Sequence, residues 1–410
     1  MIFAKHAAGK VLKNDNLDIA SQAKLAKKAD PATIDATTGM FYYEGNIFRG
    51  FKTVDKILKN MSDENFYAYS PSDGGALFQE AVLNWVFAEY RIEIEAKVHV
   101  RVLPTPGGTG AIYSAIFNGL DQGEKLLFPD LCWAPYYGIS ANHDLKTETF
   151  KLFAHDKFNF VGFKEAAEKI ISEQGKLAFI INDPCNNPTG YSLTDDELRK
   201  IVDFISSLNS PCLFIYDIAY LDFASLDHLE PRRKFKILSE AGSNVLIALA
   251  FSASKTFSVY GQRLGAEIIM GKDEREVTEF FNASKFTARN TWSNANKGLI
   301  NLMIALDKDS QLKQEFMNEL RAVKEIIKTR AEMFLKEAAS AVLATYPYRS
   351  GFFITIPVTD SMGALEALAK EEKIYLLPNA NSVRLAFCSV SQTELSGLAE
   401  RIKKVISRFN

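Results

Sequence analysis

The chain has 410 residues, 47% hydrophobic and 24% charged, long enough for one large core or two domains of unequal size. Lysine plus arginine number 48 against 50 for aspartate plus glutamate, so no net charge draws the protein to nucleic acid or to an anionic membrane. The four cysteines, Cys132, Cys185, Cys212 and Cys388, form no C-x-x-C pair, which argues against a zinc site or a disulfide framework and fits a reducing compartment.

The opening segment, Met1 to Asp30, is rich in Lys, Ala and Asn and lacks the apolar core of about 7–15 residues that a signal peptide needs. No stretch approaches the roughly 20 apolar residues of a membrane span. The expectation is a soluble, cytoplasmic protein.

Further along, strand and helix alternate. Helical periodicity covers Gly74–Tyr90 and Gly110–Gly119, and a buried strand is expected at Lys125–Phe128. A helix over Phe163–Glu173 leads to a strand at Leu177–Ile181. Thr194, with Glu197 three residues on, starts a helix reaching Leu208. Strands follow at Cys212–Tyr216, Val245–Phe251 and Ala266–Met270. Strands apolar throughout, separated by helices, indicate a largely parallel sheet covered on both faces. After Asn294 the character changes. Lys297 to about Glu337 reads as helix with a break at Asp307–Gln311. Strand-like runs at Phe352–Pro357 and Ser382–Phe387 then accompany helices at Gly363–Lys370 and Ser391–Phe409. This predicts a smaller C-terminal α+β domain.

In such a sheet, ligands bind beyond the carboxyl ends of the strands. After Val245–Phe251 come Ser252, Ser254 and Lys255, with Arg263 eight residues on. This turn offers an amine for a Schiff base and donors for a phosphate, the two needs of pyridoxal phosphate. After Cys212–Tyr216 come Asp217, suited to a pyridine nitrogen, and Tyr220, suited to the ring's phenolate oxygen; Asn187 in the loop after Leu177–Ile181 is suited to the same oxygen. Gly107-Gly108-Thr109-Gly110 opens a helix and makes an anion-binding N-terminus, without the Gly-Lys-Ser/Thr of a Walker loop. The five histidines show no metal-ligand spacing, and no metal is expected.

Taken in order, these motifs resemble the class I/II aminotransferases, the aspartate aminotransferase-like branch of the fold type I pyridoxal-phosphate enzymes. Tyr69 with Gly74, Gly107 to Gly110, Trp133, Asn187-Pro188-Thr189-Gly190, Asp217-x-x-Tyr220, Ser252-x-Ser254-Lys255, Arg263 and Arg384 carry the resemblance. It implies an α/β/α large domain with a mostly parallel sheet, over residues 51–300. A smaller α+β domain would occupy residues 301–410, with residues 1–50 packing against it. It also implies that Lys255 is the Schiff-base lysine and proton shuttle, with Asp217 and Tyr220 beside it in catalysis. Gly108, Thr109, Ser252, Ser254 and Arg263 would hold the phosphate, joined by Tyr69 from a second subunit. Trp133 would stack on the ring, Arg384 would take the substrate α-carboxylate, and Gly39, Trp133 and Asn187 would contact substrate. The implied reaction moves an amino group between an L-amino acid and a 2-oxo acid by ping-pong turnover in a homodimer with shared sites.

Singly, each residue has a plainer reading. Trp133 and Tyr69 could fill space, Asp217 could cap a helix, Asn187 could mark a turn, and Arg263 and Arg384 could be surface ion pairs. Two departures from the family stand out. Tyr136 replaces the histidine that supports the pyridine-binding aspartate, so that support either comes from its hydroxyl or is absent. Gly107 stands where a serine is often found. The segment around Arg289, Thr287 to Asn294, resembles the one carrying the arginine that binds a side-chain carboxylate from the neighbouring subunit. It implies aspartate and glutamate as substrates, with aromatic amino acids also open; the alternative is an exposed arginine near a domain boundary. Rival readings are a lyase of the same fold, such as a carbon–sulfur lyase, a cyclising synthase of the aminocyclopropane-carboxylate type, or a pyridoxal-phosphate-binding regulator without turnover.

Overall fold

The computed structural model describes residues 2, 4–11 and 16–409. Its centre is a seven-stranded sheet in the order His99–Thr105, Gly265–Gly271, Val245–Phe251, Cys212–Asp217, Leu177–Asn182, Lys125–Pro129, Lys146–Phe150. All strands run parallel except Gly265–Gly271, which is antiparallel to both neighbours. The alternation of side chains along each strand splits the core in two. Leu126, Phe128, Ala178, Ile180, Leu213, Ile215, Ala248 and Ala250 face one side, against Ala111, Ile112, Ala115 and Ile116 of helix Gly107–Gly119. Leu127, Phe179, Phe214, Ile247 and Leu249 face the other, in one core with residues of helices Phe160–Gln174 and Asp195–Ser206. Both faces being covered is the reason the strands read as unbroken apolar runs.

Helix ends follow their sequence signals. Thr194 and Glu197 close a reciprocal capping box at Asp195–Ser206. The expected break at Asp307–Gln311 is a change of helix: Lys297–Lys308 ends, and the Asp309 carboxylate accepts from Gln311 N and Leu312 N to start the 31-residue helix Ser310–Ser340. Two expectations are corrected. Gly74–Tyr90 is shorter, an α-helix over Ala76–Val86 followed by a separate short turn at Ala88–Tyr90. Ser391–Phe409 is two helices, Gln392–Leu395 and Leu398–Ile406, divided by Gly397 at φ 76°.

Beyond the long helix, Ile354–Pro357, Ser382–Leu385 and Leu377–Asn379 form a three-stranded antiparallel sheet with Ser382–Leu385 in the middle. The early strand Ile34–Asp35 pairs in parallel with Ile374–Tyr375, so the first residues after helix Asn16–Ala29 are fastened to the last tenth of the chain. Among the described residues no helix is long and apolar enough to cross a membrane.

Candidate active site

The carboxyl ends of the central strands are in register: Asn182 lies beside Asp217, and Asp217 beside Ala250, two residues before Ser252. Beyond these ends opens a cavity of about 1060 Å³, lined among others by Gly39, Gly108, Thr109, Trp133, Asn187, Asp217, Tyr220, Ser252, Lys255, Arg263 and Arg384. It is ample for a small cofactor and a substrate together.

Lys255 sits on the single helical turn Ala253–Thr256, and its Nζ donates to the Gly39 carbonyl at 3.3 Å. Burial, aided by the charges of Arg263 and Arg384 and opposed by Cys388 and Asp217, brings the amine down to about 8. A substantial share is therefore neutral, and nucleophilic, in mildly alkaline solution. Asp217 is 4% exposed. One of its oxygens accepts from Tyr136 Oη at 2.6 Å and the other from Ala219 N at 3.0 Å. The support left open by the missing histidine thus comes from a tyrosine hydroxyl. Burial pushes the Asp217 carboxyl up to about 6, while Tyr136, Ala219 N and Lys255 hold it back.

The phosphate-binding candidates surround the start of helix Gly107–Gly119, whose first turn carries no side-chain cap and no acidic residue. Its orphan N–H groups favour an anion. Gly107 has φ +76°, where a serine would be strained, and a Cβ there would push the Arg263 guanidinium aside. Arg263 stands at φ 57° and its Nη1 is held by the Tyr260 carbonyl at 2.9 Å. A non-glycine residue in this region stores strain, a frequent mark of a functional position.

Arg384 projects from the centre of the small sheet. Its Nη1 donates to Asn187 Oδ1 at 3.0 Å and its Nη2 to the Thr37 carbonyl at 2.6 Å, while its guanidinium lies 4.3 Å from the Phe353 ring centre. Its Nε is buried without a partner. Asn187 is fixed in turn by Asn182, whose carbonyl oxygen accepts from Asn187 N at 2.7 Å and whose amide donates to the Asp217 carbonyl at 2.8 Å. Sequence reasoning passed over Asn182, Thr37 and Phe353. Asn182 had a signal, being the polar last residue of an otherwise apolar strand; Thr37 had none, because it contributes a backbone carbonyl.

Three expected residues stand outside the cavity. Ser254 is fully buried, and its hydroxyl donates to the Leu264 carbonyl at 3.1 Å and accepts from Leu264 N at 3.0 Å. It ties the lysine's turn to the residue after Arg263 instead of reaching a phosphate. Tyr69 is 87% exposed, and Arg289, at the end of helix Glu274–Thr291, is exposed with its Nη1 on Ser293 Oγ at 2.5 Å. Both lie on one surface: Ser70 N and Oγ donate to Asn294 Oδ1, and Asn294 Nδ2 donates back to the Ser70 carbonyl.

The residues fit pyridoxal phosphate on the chemistry of the donor set. Lys255, Arg263 and Arg384 outnumber the one carboxylate among them, Asp217. The uncapped helix start and the unpartnered Arg384 Nε ask for anionic oxygens. A fold and site of this kind define an enzyme that holds an aldehyde cofactor on a lysine. The profile of the family described as aminotransferase class I and II matches residues 42–402. The chain belongs to this family of pyridoxal-phosphate-dependent aminotransferases. It is similar to the mitochondrial aspartate aminotransferase of Arabidopsis thaliana, with 21% identity over 92% of this chain and 87% of that one. A solved aminotransferase from Anaerococcus prevotii superposes with a TM-score of 0.94 at 30% identity, covering 99% of both chains. The aromatic-amino-acid aminotransferase of Burkholderia pseudomallei, solved covalently bound to pyridoxal phosphate, gives 0.79 at 19% identity over 98% of this chain and 100% of that one.

Proposed function

We propose that the protein transfers the amino group of an acidic L-amino acid, and of aromatic ones, to a 2-oxo acid by ping-pong turnover, as a homodimer with shared sites in the cytoplasm. The observation that carries this reading is the convergence of the Lys255 amine, the buried Asp217 carboxyl and the Arg384 guanidinium on one cavity. Pyridoxal phosphate, when bound, supplies a carbonyl to condense with amines and a ring that takes up the electron pair of the broken α C–H bond.

The chain's residues do the rest. Gly108 and Thr109 N–H groups, the Ser252 hydroxyl and Arg263 hold the phosphate. Asp217 keeps a proton on the ring nitrogen, Asn187 and Tyr220 orient the ring oxygen, and Trp133 covers a ring face. Arg384 takes the α-carboxylate in its planar fork, beside Gly39. Lys255 Nζ then receives the α proton and later releases it, a shuttle favoured by an amine brought down to about 8. In this reading residues 51–300 form the cofactor-binding domain and 301–410 the smaller one, with residues 1–50 packed against it; the pairing of Ile34–Asp35 with Ile374–Tyr375 supports the last point.

Dimer formation is supported by Tyr69 and Arg289, which are exposed and do not line their own cavity, and by the exposed aromatic side chains of Tyr67 and Phe286. A cytoplasmic location is supported by the four cysteines, all free and buried. Names of similar proteins, aspartate and aromatic aminotransferases, support the substrate classes.

The test is a stopped-flow absorbance scan of the loaded enzyme against each common amino acid. Aspartate, glutamate and the aromatic amino acids should bleach the cofactor band, and a 2-oxo acid should restore it. Lys255→Ala should lose both the borohydride-reducible attachment and turnover. Bleaching without restoration, or an alanine variant that keeps attachment and full turnover, overturns the reading.

A further inference from the structure

Lys255 rides on one turn of helix, Ala253–Thr256, whose backbone bonds are local to the turn apart from Ser254 N, which donates to the Leu264 carbonyl at 2.9 Å. The side chains on either side of it are both anchored. Ser254 is closed on Leu264, as described above. Thr256, 2% exposed, donates from Oγ1 to Asp222 Oδ2 at 2.6 Å.

Asp222 is itself the hub of a buried network. Its Oδ2 also accepts from Trp85 Nε1 at 3.1 Å, and its Oδ1 accepts from Arg232 Nη2 at 2.6 Å. Arg232, fully buried, also donates from Nε to the Trp85 carbonyl and from Nη1 to the His228 carbonyl. Burial works against ionisation of Asp222, yet Arg232, His228 and Thr256 bring it down to about 2. The acceptor facing Thr256 is therefore a full charge across the working pH range, and a bond to it is stronger than one between neutral groups.

What matters is where Asp222 lies in the chain. It follows Asp217 by five residues and Tyr220 by two, on the same connection leaving strand Cys212–Asp217. We propose that the Thr256–Asp222 bond is a positioning clamp, which fixes the turn bearing Lys255 to the segment bearing Asp217 and Tyr220. The clamp sets the reach of the amine relative to the groups that seat the cofactor ring. Thr256 and Asp222 are positioning residues, acting through the backbone of Lys255 and of Tyr220. This rests on Lys255 being the attachment lysine, as proposed above.

Small errors in such a reach are costly, up to roughly a hundredfold in rate for about 1 Å of misplacement. The isosteric change Thr256→Val deletes the hydroxyl and keeps the shape. The full-length variant, stripped of cofactor, should attach pyridoxal phosphate about tenfold more slowly, within that bound. Once loaded, its kcat should fall by a similar factor while the KM for the amino donor stays close to that of the parent; the melting temperature should fall, since a buried carboxylate loses a donor. Thr256→Ser should restore most of both rates. Trp85→Phe removes another donor from the same Asp222 oxygen without touching the lysine's turn, so it should lower the melting temperature and leave the attachment rate alone. If Thr256→Val does not fold, Thr256→Ala takes its place with the same expectations.

Parent-like attachment in the valine or alanine variant overturns the clamp. So does a loss in Trp85→Phe as large as in Thr256→Val, which would make the effect one of general destabilisation. Lys255→Ala separates the two readings: attachment lost there but normal in the Thr256 variants sinks the clamp alone, whereas attachment retained in Lys255→Ala sinks the assignment of the lysine.

Discussion

In the role proposed for it, Asp217 must be ionised to hold a proton on a ring nitrogen, yet the fold alone pushes its carboxyl up to about 6. The folded value lies above the unfolded one of about 4, so the protonated form favours the fold. In the cofactor-free protein this group's contribution to stability is lost as the pH rises from about 4 to about 6. Bound cofactor reverses the preference by offering the carboxylate a cation. Affinity for pyridoxal phosphate should therefore drop as the pH falls through about 6. Tyr136→Phe removes one of the two donors and should move that midpoint upward. It should also lower kcat roughly ten- to hundredfold, as expected for a hydrogen bond to a charged group worth about 1.5–3 kcal/mol. Equilibrium titration of cofactor across pH checks both. At the substrate end, Arg289→Leu should hurt aspartate and glutamate far more than phenylalanine or tyrosine. Losing one partner of a buried charge pair costs about 2–5 kcal/mol, roughly 30- to several-thousand-fold in kcat/KM. Arg384→Leu should depress every amino acid, since all carry the α-carboxylate. Equal losses for acidic and aromatic substrates in the Arg289 variant would remove the reason for expecting a dicarboxylate enzyme.

At the scale of elements, the strand Gly265–Gly271 carries a group that neither the cofactor nor the substrate uses. Glu267 is fully buried, and its carboxyl faces the hydroxyls of Ser114 on helix Gly107–Gly119 and Ser284 on helix Glu274–Thr291 without closing a hydrogen bond to either. Burial pushes it up to about 8, the two serines pulling back. Its folded value exceeds the unfolded one, so its contribution to stability is present at low pH and is lost as the pH rises towards about 8. Glu267→Gln should be more stable than the parent at pH 9, by about 1–3 kcal/mol or more, and little changed near pH 4, where the carboxyl is protonated in both states, as thermal melts at the two pH values would reveal.

The same element explains part of what the sequence conceals. Strands such as Leu177–Asn182 and Cys212–Asp217 announce themselves because burial on both faces demands apolar residues throughout. The outer strand Lys146–Phe150 does not, since only Phe150 in it is buried. Helix Glu274–Thr291 is equally silent, burying only Val277, Ser284, Thr287 and Ala288. In the site, the charged residues that follow the strand ends are legible through their joint order and spacing, since each alone has a plainer reading. The Tyr136–Asp217 bond spans 81 residues, and nothing local encodes it.

For the whole molecule, the decisive surface is the one shared by Tyr69 and Arg289. Mixing Lys255→Ala with a Tyr69 or Arg289 variant, each poorly active or inactive alone with aspartate, should restore activity towards aspartate, because one site of each hybrid dimer would draw every residue from an intact source. Activity that stays at the level of the separate variants, or a fully active monomer in sedimentation, would show that each chain completes its own site.

The pairing of Ile34–Asp35 with Ile374–Tyr375 has a bearing on synthesis. Ile34 N and Ala36 N donate to the carbonyls of Lys373 and Tyr375, Ala386 N donates to the Ala36 carbonyl, and Arg384 holds the Thr37 carbonyl. A ribosome emitting some 5–20 residues per second delivers the early partners many seconds before the late ones. The central sheet, complete at Gly271, can form while the Gly39 carbonyl that receives Lys255 still hangs on an untethered segment. In the roles proposed for these residues, the nascent chain acquires its phosphate cradle early and its carboxylate arginine last, so competence to seat the cofactor precedes competence to select a substrate.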